Sequence, residues 1–195
     1  MNYFIDTEFI EDGVILDLVS IAIVAEDGRD MYALNAGARL MRASNWVIEN
    51  VLVHLPGVSK TEEGGIQVDN KYPNPMHGWI PMHGIMLKIL DFIGDDKDPK
   101  FWADWGAYDW VAFARCFGRL IDLPKGFPMH VNDFQMLLDI VGKPELPKEL
   151  LYDAGDAHDA LSDARILKKR VEYIASRFEI TIDDHEKKSV FTAIL

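Results

Sequence analysis

The sequence predicts an α/β domain: a mixed β-sheet, with an antiparallel meander first and parallel strands after it, flanked by α-helices. Three observations carry that expectation. The first 35 residues are β-branched and aromatic segments separated by Asp-Gly turn signals. Beyond residue 44 the apolar residues recur at helical spacing and are interleaved with short apolar runs. The chain has 195 residues, 49% of them hydrophobic and 11% aromatic, which suffices for one core and one domain spanning 1–195.

The elements follow in order. Residues 3–9 and 14–24 read as strands around the turn Glu11-Asp12-Gly13, and Asp27-Gly28 introduces a third strand over 30–34. Ser44 is suited to cap a helix over 45–52, which Pro56-Gly57 would end. Residues 57–81, rich in Gly, Pro, Asn and Lys, read as a long loop of the kind that often carries function. Ile85, Met86, Ile89, Leu90 and Ile93 mark a helix that Gly94 would close. Residues 101–103 read as a fourth strand, 108–117 as a helix closed by Gly118, and 129–131 as a short strand. Asn132 or Asp133 would then cap a helix to Val141. Leu161, Ala164, Leu167, Val171 and Ile174 place an apolar stripe on a last helix over 159–177. The tail 179–195 would pack back on the domain or meet a second subunit.

Composition excludes several classes. A single cysteine, Cys116, in an apolar stretch cannot form an internal disulfide, which fits a reducing cytosol. No leader pattern is visible, and the longest apolar run, 14–25, is interrupted by Asp17 and Ser20, so a cytoplasmic chain without a membrane span is expected. The net charge of −12 argues against a broad phosphate-tracking surface. It is compatible with an enzyme that grips only a strand end, because carboxylates that bind metal inflate the count.

The acids are the informative residues. In "YFIDTEF", residues 3–9, side chains alternate between faces, so Asp6 and Glu8 share one face while Ile5, Thr7 and Phe9 share the other. Their α-carbons would stand roughly 6 to 7 Å apart, close enough for both carboxylates to reach one cation. By itself the pair could equally be a solvated strand face. In "AHDALSDAR", residues 157–165, five helical steps would turn His158 and Asp163 about 140° apart. The two converge only if His158 sits in the turn before a helix capped by Asp159, with Asp163 leaning back toward the N-terminus. In "FWADWGAYDW", residues 101–110, Asp109 opens a helix after a strand, a position that the helix dipole alone can explain. Each motif has such an ordinary reading; their combination and order do not.

Asp6-Thr7-Glu8, Tyr108-Asp109 preceded by Asp104, and His158 with Asp163 resemble, in that order, the three motifs of the DEDDh 3'-to-5' exonucleases of the ribonuclease H-like superfamily. Many members carry Asn where this chain has Asp104. "YFIDTEFIEDG" followed by "SIAIVAEDGRDMYAL" is similar to the polyadenylate-directed 3'-exoribonuclease group called ribonuclease AS. The resemblance implies a ribonuclease H-like fold and a metal-dependent exoribonuclease that releases nucleoside 5'-monophosphates from the 3' end of single-stranded RNA, adenine-rich tails included. It also implies a homodimer. Four converging carboxylates repel one another unless cations balance them, and all-oxygen ligands favour Mg2+ or Mn2+. Two such ions would serve an in-line displacement at phosphorus. The resemblance assigns Asp6, Glu8, Asp109 and Asp163 as metal ligands. It assigns His158 as the base for the attacking water, a task suited to imidazole.

For Phe9, alternation predicts a core side chain, whereas the resemblance implies that Glu8 and Phe9 contact the terminal nucleotide; both readings stand. Trp102, Trp105 and Trp110 are expected in the core, with Trp105 a candidate for the cleft wall. His54, His77, His83, His130 and His185 show no ligand-like spacing, and Lys168-Lys169-Arg170 reads as a solvated face. Competing readings are a 3'-to-5' DNA exonuclease and a non-catalytic ribonuclease H-like binding module. The second gains nothing from burying mutually repelling acids.

Overall fold

A computed structural model of the chain describes residues 1–68, 78–151 and 158–180. The meander comprises β1 (Asn2–Glu11), β2 (Leu16–Ala25) and β3 (Asp30–Asn35), paired antiparallel in sequence order. The first turn closes because Asp12 Oδ1 accepts the amides of Val14 and Ile15, at 3.1 and 2.8 Å, around Gly13 with its φ of +81°.

Three short strands complete the six-stranded sheet: β6 (Trp79–Ile80) parallel to β3, β7 (Lys100–Ala103) parallel to β1, and β8 (Asn132–Asp133) parallel to β7. The order across the sheet is β6-β3-β2-β1-β7-β8, and β4 (Val58–Lys60) and β5 (Ile66–Val68) form a separate hairpin. Antiparallel strands followed by parallel ones, with helices on both faces, match the predicted class.

Alternation along the strands divides the core. Ile5, Ile21, Ile23 and Phe101 pack with α2 (Met82–Ile93) and α3 (Ala107–Arg115) on one face. Phe4, Ala22 and Val24 pack with α4 (Phe134–Ile140) and α5 (Ala160–Arg177) on the other. A third cluster joins Ile10, Val19, Leu34 and Trp79 to Ile48 of α1 (Asn45–Asn50) and to the hairpin residues Val58 and Ile66. Each fully buried Ile or Phe contributes roughly 1.5–3 kcal/mol, so β1 and β2, buried on both faces, are the rigid centre of the molecule. Among the described residues, no helix is long and apolar enough to cross a membrane.

Several expected boundaries shift. The segment 57–81 is not one loop: it holds β4, β5 and β6, whose two- or three-residue strands are too short to show alternation. Residues 69–77, with His77, and the tail 181–195, with His185, lie outside the described residues. The short strand expected at 129–131 forms instead at Asn132–Asp133. There Asn132 donates to the Phe101 carbonyl at 3.1 Å, while Asp133 both ends the strand and caps α4 through the Gln135 and Met136 amides. The first helix ends at Asn50 and gives way to a 3-10 turn over Leu52–His54.

One mismatch of length positions everything below. Strand β1 has ten residues, but β7 pairs only with Asn2 to Phe4, so the second half of β1 leaves that edge open. The chain leaves β1 toward β2 on one side, and leaves β7 toward β8 on the other. A crevice beyond the carboxyl end of β7, where the connections diverge, is where open α/β sheets bind ligands.

Candidate active site

Asp6 and Glu8 stand on the open half of β1, on the face covered by α5, and Asp163 meets them from the first turn of that helix. Ligand oxygens of the three acids all lie within 4.8 Å of one another, and this is the one such acidic or histidine group among the described residues. The start of α5 is built to aim Asp163. Asp159 caps the helix by accepting the Ser162 amide at 2.8 Å, and the His158 amide donates to Asp163 Oδ2 at 3.1 Å. His158 lies in the turn before the helix with a φ of +71°. That left-handed conformation, costly for a residue with a Cβ, lets its amide point back at Asp163.

Asp109 is buried in the first turn of α3 and stands outside the compact group of three. Its Oδ1 accepts both the Thr7 amide, at 2.9 Å, and the Thr7 hydroxyl, at 2.6 Å. The Thr7 amide points at the edge that β7 leaves open, so Asp109 supplies the partner a longer strand would have given. Gly106 makes this approach of α3 possible: a Cβ there would stand 2.9 Å from Val131 Cγ1 and 3.0 Å from the Ala103 Cβ.

Beneath the acids lies an ion pair that the sequence reading missed. Arg170, expected on a solvated face, is buried and donates to Asp104 Oδ2 at 3.1 Å and to the Leu150 carbonyl at 2.7 Å. Gln135 holds the other Asp104 oxygen at 2.6 Å. The Asp104 and Arg170 side chains are 11% and 6% exposed, so the pair is fixed, with Asp104 facing the acids and Arg170 buried behind it. The correction has a simple cause: Lys168 and Lys169 look like a solvated run, but Arg170 falls on the buried stripe with Leu167, Val171 and Ile174.

Asp6, Thr7, Glu8, Asp104, Asp109 and Asp163 line a cleft of about 680 Å³ that also includes Phe9, Trp46, Trp105, Tyr108 and His158. Phe9 points away from the acid face, as alternation requires, but it is only half-buried. Its ring stacks on Tyr108 with centroids 5.5 Å apart and an interplanar angle of 14°. It is therefore a wall residue and not a core one. Trp46, brought in by α1, touches the His158 ring edge-on at 4.8 Å. Trp102 and Trp110 are core residues, whereas Trp105 is 73% exposed at a φ of +56°. Trp105 and His158 are two of four non-glycine residues with positive φ among those described, and both border the cleft. Strain of this kind persists where the surroundings over-determine a geometry.

The electrostatics express crowding. Burial, then Asp109, Glu8 and Asp163, hold the Asp6 carboxyl well above the usual carboxylate range. Burial and the same neighbourhood push Glu8 up to about 8, Asp109 to about 7 against the lowering effect of the Thr7 bonds, and Asp163 to about 6. Asp163 Oδ1 is buried without a hydrogen-bond partner. An orphaned carboxylate oxygen within reach of two more acids is the donor set of a hard divalent cation, and all-oxygen ligands suit Mg2+ or Mn2+.

A pH dependence follows. The folded acids hold protons that the unfolded chain, with carboxyl pKa values near 4, has lost. Their contribution to stability is therefore fully present below pH 4 and is lost as pH rises toward 8. In EDTA the melting temperature is expected to fall between pH 5.5 and pH 8.5. Added Mn2+ should raise it more at pH 8.5, since the metal takes deprotonated ligands. A metal-independent, flat profile by thermal unfolding would contradict this.

A mixed sheet in this order, flanked by helices on both faces, defines a ribonuclease H-like fold. The same fold appears in Pop2p of S. pombe, a structure solved in a form with Mg2+ and Mn2+ bound. The TM-score is 0.60 and the identity 14%, over 93% of this chain and 86% of that one. No protein-family model matches the chain. In sequence it is 35% identical over 178 residues to a 3'-5' exoribonuclease of Mycobacterium tuberculosis, found in strains CDC 1551 / Oshkosh and H37Rv. The match covers 90% of this chain and 94% of the relative. The chain belongs to this family of 3'-5' exoribonuclease enzymes.

Proposed function

We propose that this protein is a metal-dependent 3'-to-5' exoribonuclease of the DEDDh type, acting on single-stranded RNA and releasing nucleoside 5'-monophosphates. The observation that carries the reading is the convergence of Asp6, Glu8 and Asp163 within 4.8 Å at the open end of β1, with Asp163 Oδ1 left without a partner. Asp6, Glu8 and Asp163 would hold one cation, and Asp109, across the edge of β1, would hold a second together with Asp6. Bound ions of this kind stabilise charge on the attacking and leaving oxygens of a phosphoryl displacement.

The chain's own residues account for the remainder. His158, at the rim and steadied by Trp46, is the base that takes a proton from the attacking water. Thr7 fixes Asp109, and the Asp104–Arg170 pair places a buried positive charge under the acids. Phe9 and Tyr108 offer a stacked aromatic wall for the terminal base. The adenine-rich tail of an RNA is the proposed substrate, supported by the likeness of residues 3–13 to the ribonuclease AS group.

The reading is tested by incubating the protein and Mn2+ with matched single-stranded RNA and DNA, poly(A) and mixed sequence among them, and separating the products. Mononucleotides released from the 3' end of RNA, fastest from poly(A), are expected. Equal degradation of both sugars would overturn the RNA assignment, and laddering from the 5' end would overturn the direction.

A further inference from the structure

The main cleft is continued by a second groove of about 350 Å³ between the β1–β2 turn and the outer face of α3. The two share Glu11 and Tyr108, so a ligand that fills one reaches the other without crossing a ridge of unrelated residues. Its floor and walls are the turn residues Val14, Ile15 and Leu16 and, at helical spacing, Tyr108, Val111 and Arg115 of α3. Three of these are large side chains left open to solvent: Val14 is 90% exposed, Tyr108 53% and Val111 49%.

Arg115 closes the far end. One of its amino groups donates to the Leu16 carbonyl at 2.8 Å, which pins the guanidinium beside the turn. It has no carboxylate partner among the described residues, whereas Arg29, Arg39, Arg42, Arg119 and Arg165 each pair with an aspartate. The groove's one carboxylate, Glu11, is engaged by the Gly13 amide at 2.6 Å, so in a chain of net charge −12 a fixed cation without an ion-pair partner among the described residues is a local attraction for an anion. From Tyr108 to Arg115 the helix rises about 10 Å, so a ligand that spans the groove is extended, apolar along one side and anionic where it meets Arg115.

We propose that this groove is a subsite for the upstream nucleotides of the RNA strand whose 3' end lies in the cleft. A base packs on Tyr108, Val111 and Val14, and Arg115 contacts a phosphate. The inference rests on the exoribonuclease reading. It adds to it a path for the strand away from the acids, over the Phe9–Tyr108 stack. It also predicts a preference for longer substrates, because a dinucleotide would end before Arg115 and an octanucleotide would pass it.

The test uses the full chain as wild type, Arg115→Ala and Arg115→Lys, with a dinucleotide and an octanucleotide of the same RNA sequence. Arg115→Ala is expected to lower kcat/KM on the octanucleotide about three- to tenfold, mainly through KM. It should leave the dinucleotide unchanged and reduce the salt dependence of octanucleotide binding by about one phosphate contact. Arg115→Lys, which keeps the charge, should recover most of the loss. Octanucleotide affinity is measured separately by fluorescence anisotropy with Ca2+ in place of Mn2+, so the groove is judged without turnover. If the wild type binds in an Arg115-dependent way but cleaves nothing, the groove stands and the exoribonuclease reading falls. An unchanged octanucleotide affinity, or equal losses on both substrates as expected from a loosened β1–β2 turn, would overturn the subsite.

Discussion

Asp6→Asn is expected to abolish turnover and, in the same preparation, to make the metal-free protein more heat-stable. The two effects have one cause. Asp6 sits on a rigid strand at the centre of four acids, and burial together with Asp109, Glu8 and Asp163 opposes its ionisation. Asparagine has the same shape and still forms hydrogen bonds, but it neither repels its neighbours nor binds a divalent cation well. If Asp6 holds the ions as proposed, loss of its charge removes several kcal/mol of transition-state stabilisation, about a thousandfold or more in kcat/KM at 1.36 kcal/mol per decade. In EDTA at pH 8.5, where the acids are being forced to ionise, removal of one charge relieves the repulsion, and the melting temperature should rise. Mn2+ should then give a smaller upward shift than in the wild type. A variant that loses activity by unfolding would show the opposite sign in EDTA, and one with full activity would remove Asp6 from the site.

That trade of stability for chemistry explains which parts of the site could be recognised in the sequence. Strand periodicity of two puts Asp6 and Glu8 on one face, but that pair alone could be a solvated face, and it gained meaning only beside the other two motifs. His158 could be placed because helical geometry forbids it to meet Asp163 from within α5, and the structure places it in the preceding turn with Asp159 as cap. Asp109 needed the resemblance, since an acid in a first turn is unremarkable until the Thr7 amide, 102 residues away, is seen to require it. Asp104 stood out in the second motif, but its pairing with Arg170 and Gln135 left no trace, because the partners are 66 and 31 residues away and look ordinary where they stand. Trp46 was missed for the same reason: it arrives on a six-residue helix with nothing local to mark it.

The fold shows the same division. Long, doubly buried strands such as β1 and β2 declare themselves through composition and turn residues. The β2 bulge does not: the register pairs Glu8 with Ser20 and Phe9 with Leu18, which leaves Val19 without a partner opposite the end of the acid pair. An inserted residue of this kind bends the strand and increases its local twist, and bulges are common beside active sites. It has no signature in a run of apolar residues. Strands of two or three residues, β4, β5, β6 and β8, are likewise defined by the neighbours they pair with and not by their own pattern.

His158→Asn is expected to lower kcat/KM by about 10²- to 10⁴-fold, the usual worth of a positioned acid or base, while leaving the metal site intact. The choice of asparagine follows from the backbone. His158 holds a φ of +71°, which asparagine tolerates better than most residues, and its amide rather than its ring bonds Asp163 Oδ2. The substitution therefore keeps the hydrogen bond that orients Asp163 and removes only the imidazole. Melting temperature in EDTA should be unchanged or slightly raised, and the Mn2+-induced shift should match that of the wild type. Trp46→Ala, which removes the edge contact that steadies the ring, should cost less, about tenfold or under, because the base remains present but less well held. The pair of variants separates two accounts of the same residue. If His158 served only to shape the turn before α5, asparagine would preserve activity along with stability. Loss of the Mn2+ shift in His158→Asn would mean that the imidazole is itself a ligand, and the base would have to be sought elsewhere in the cleft.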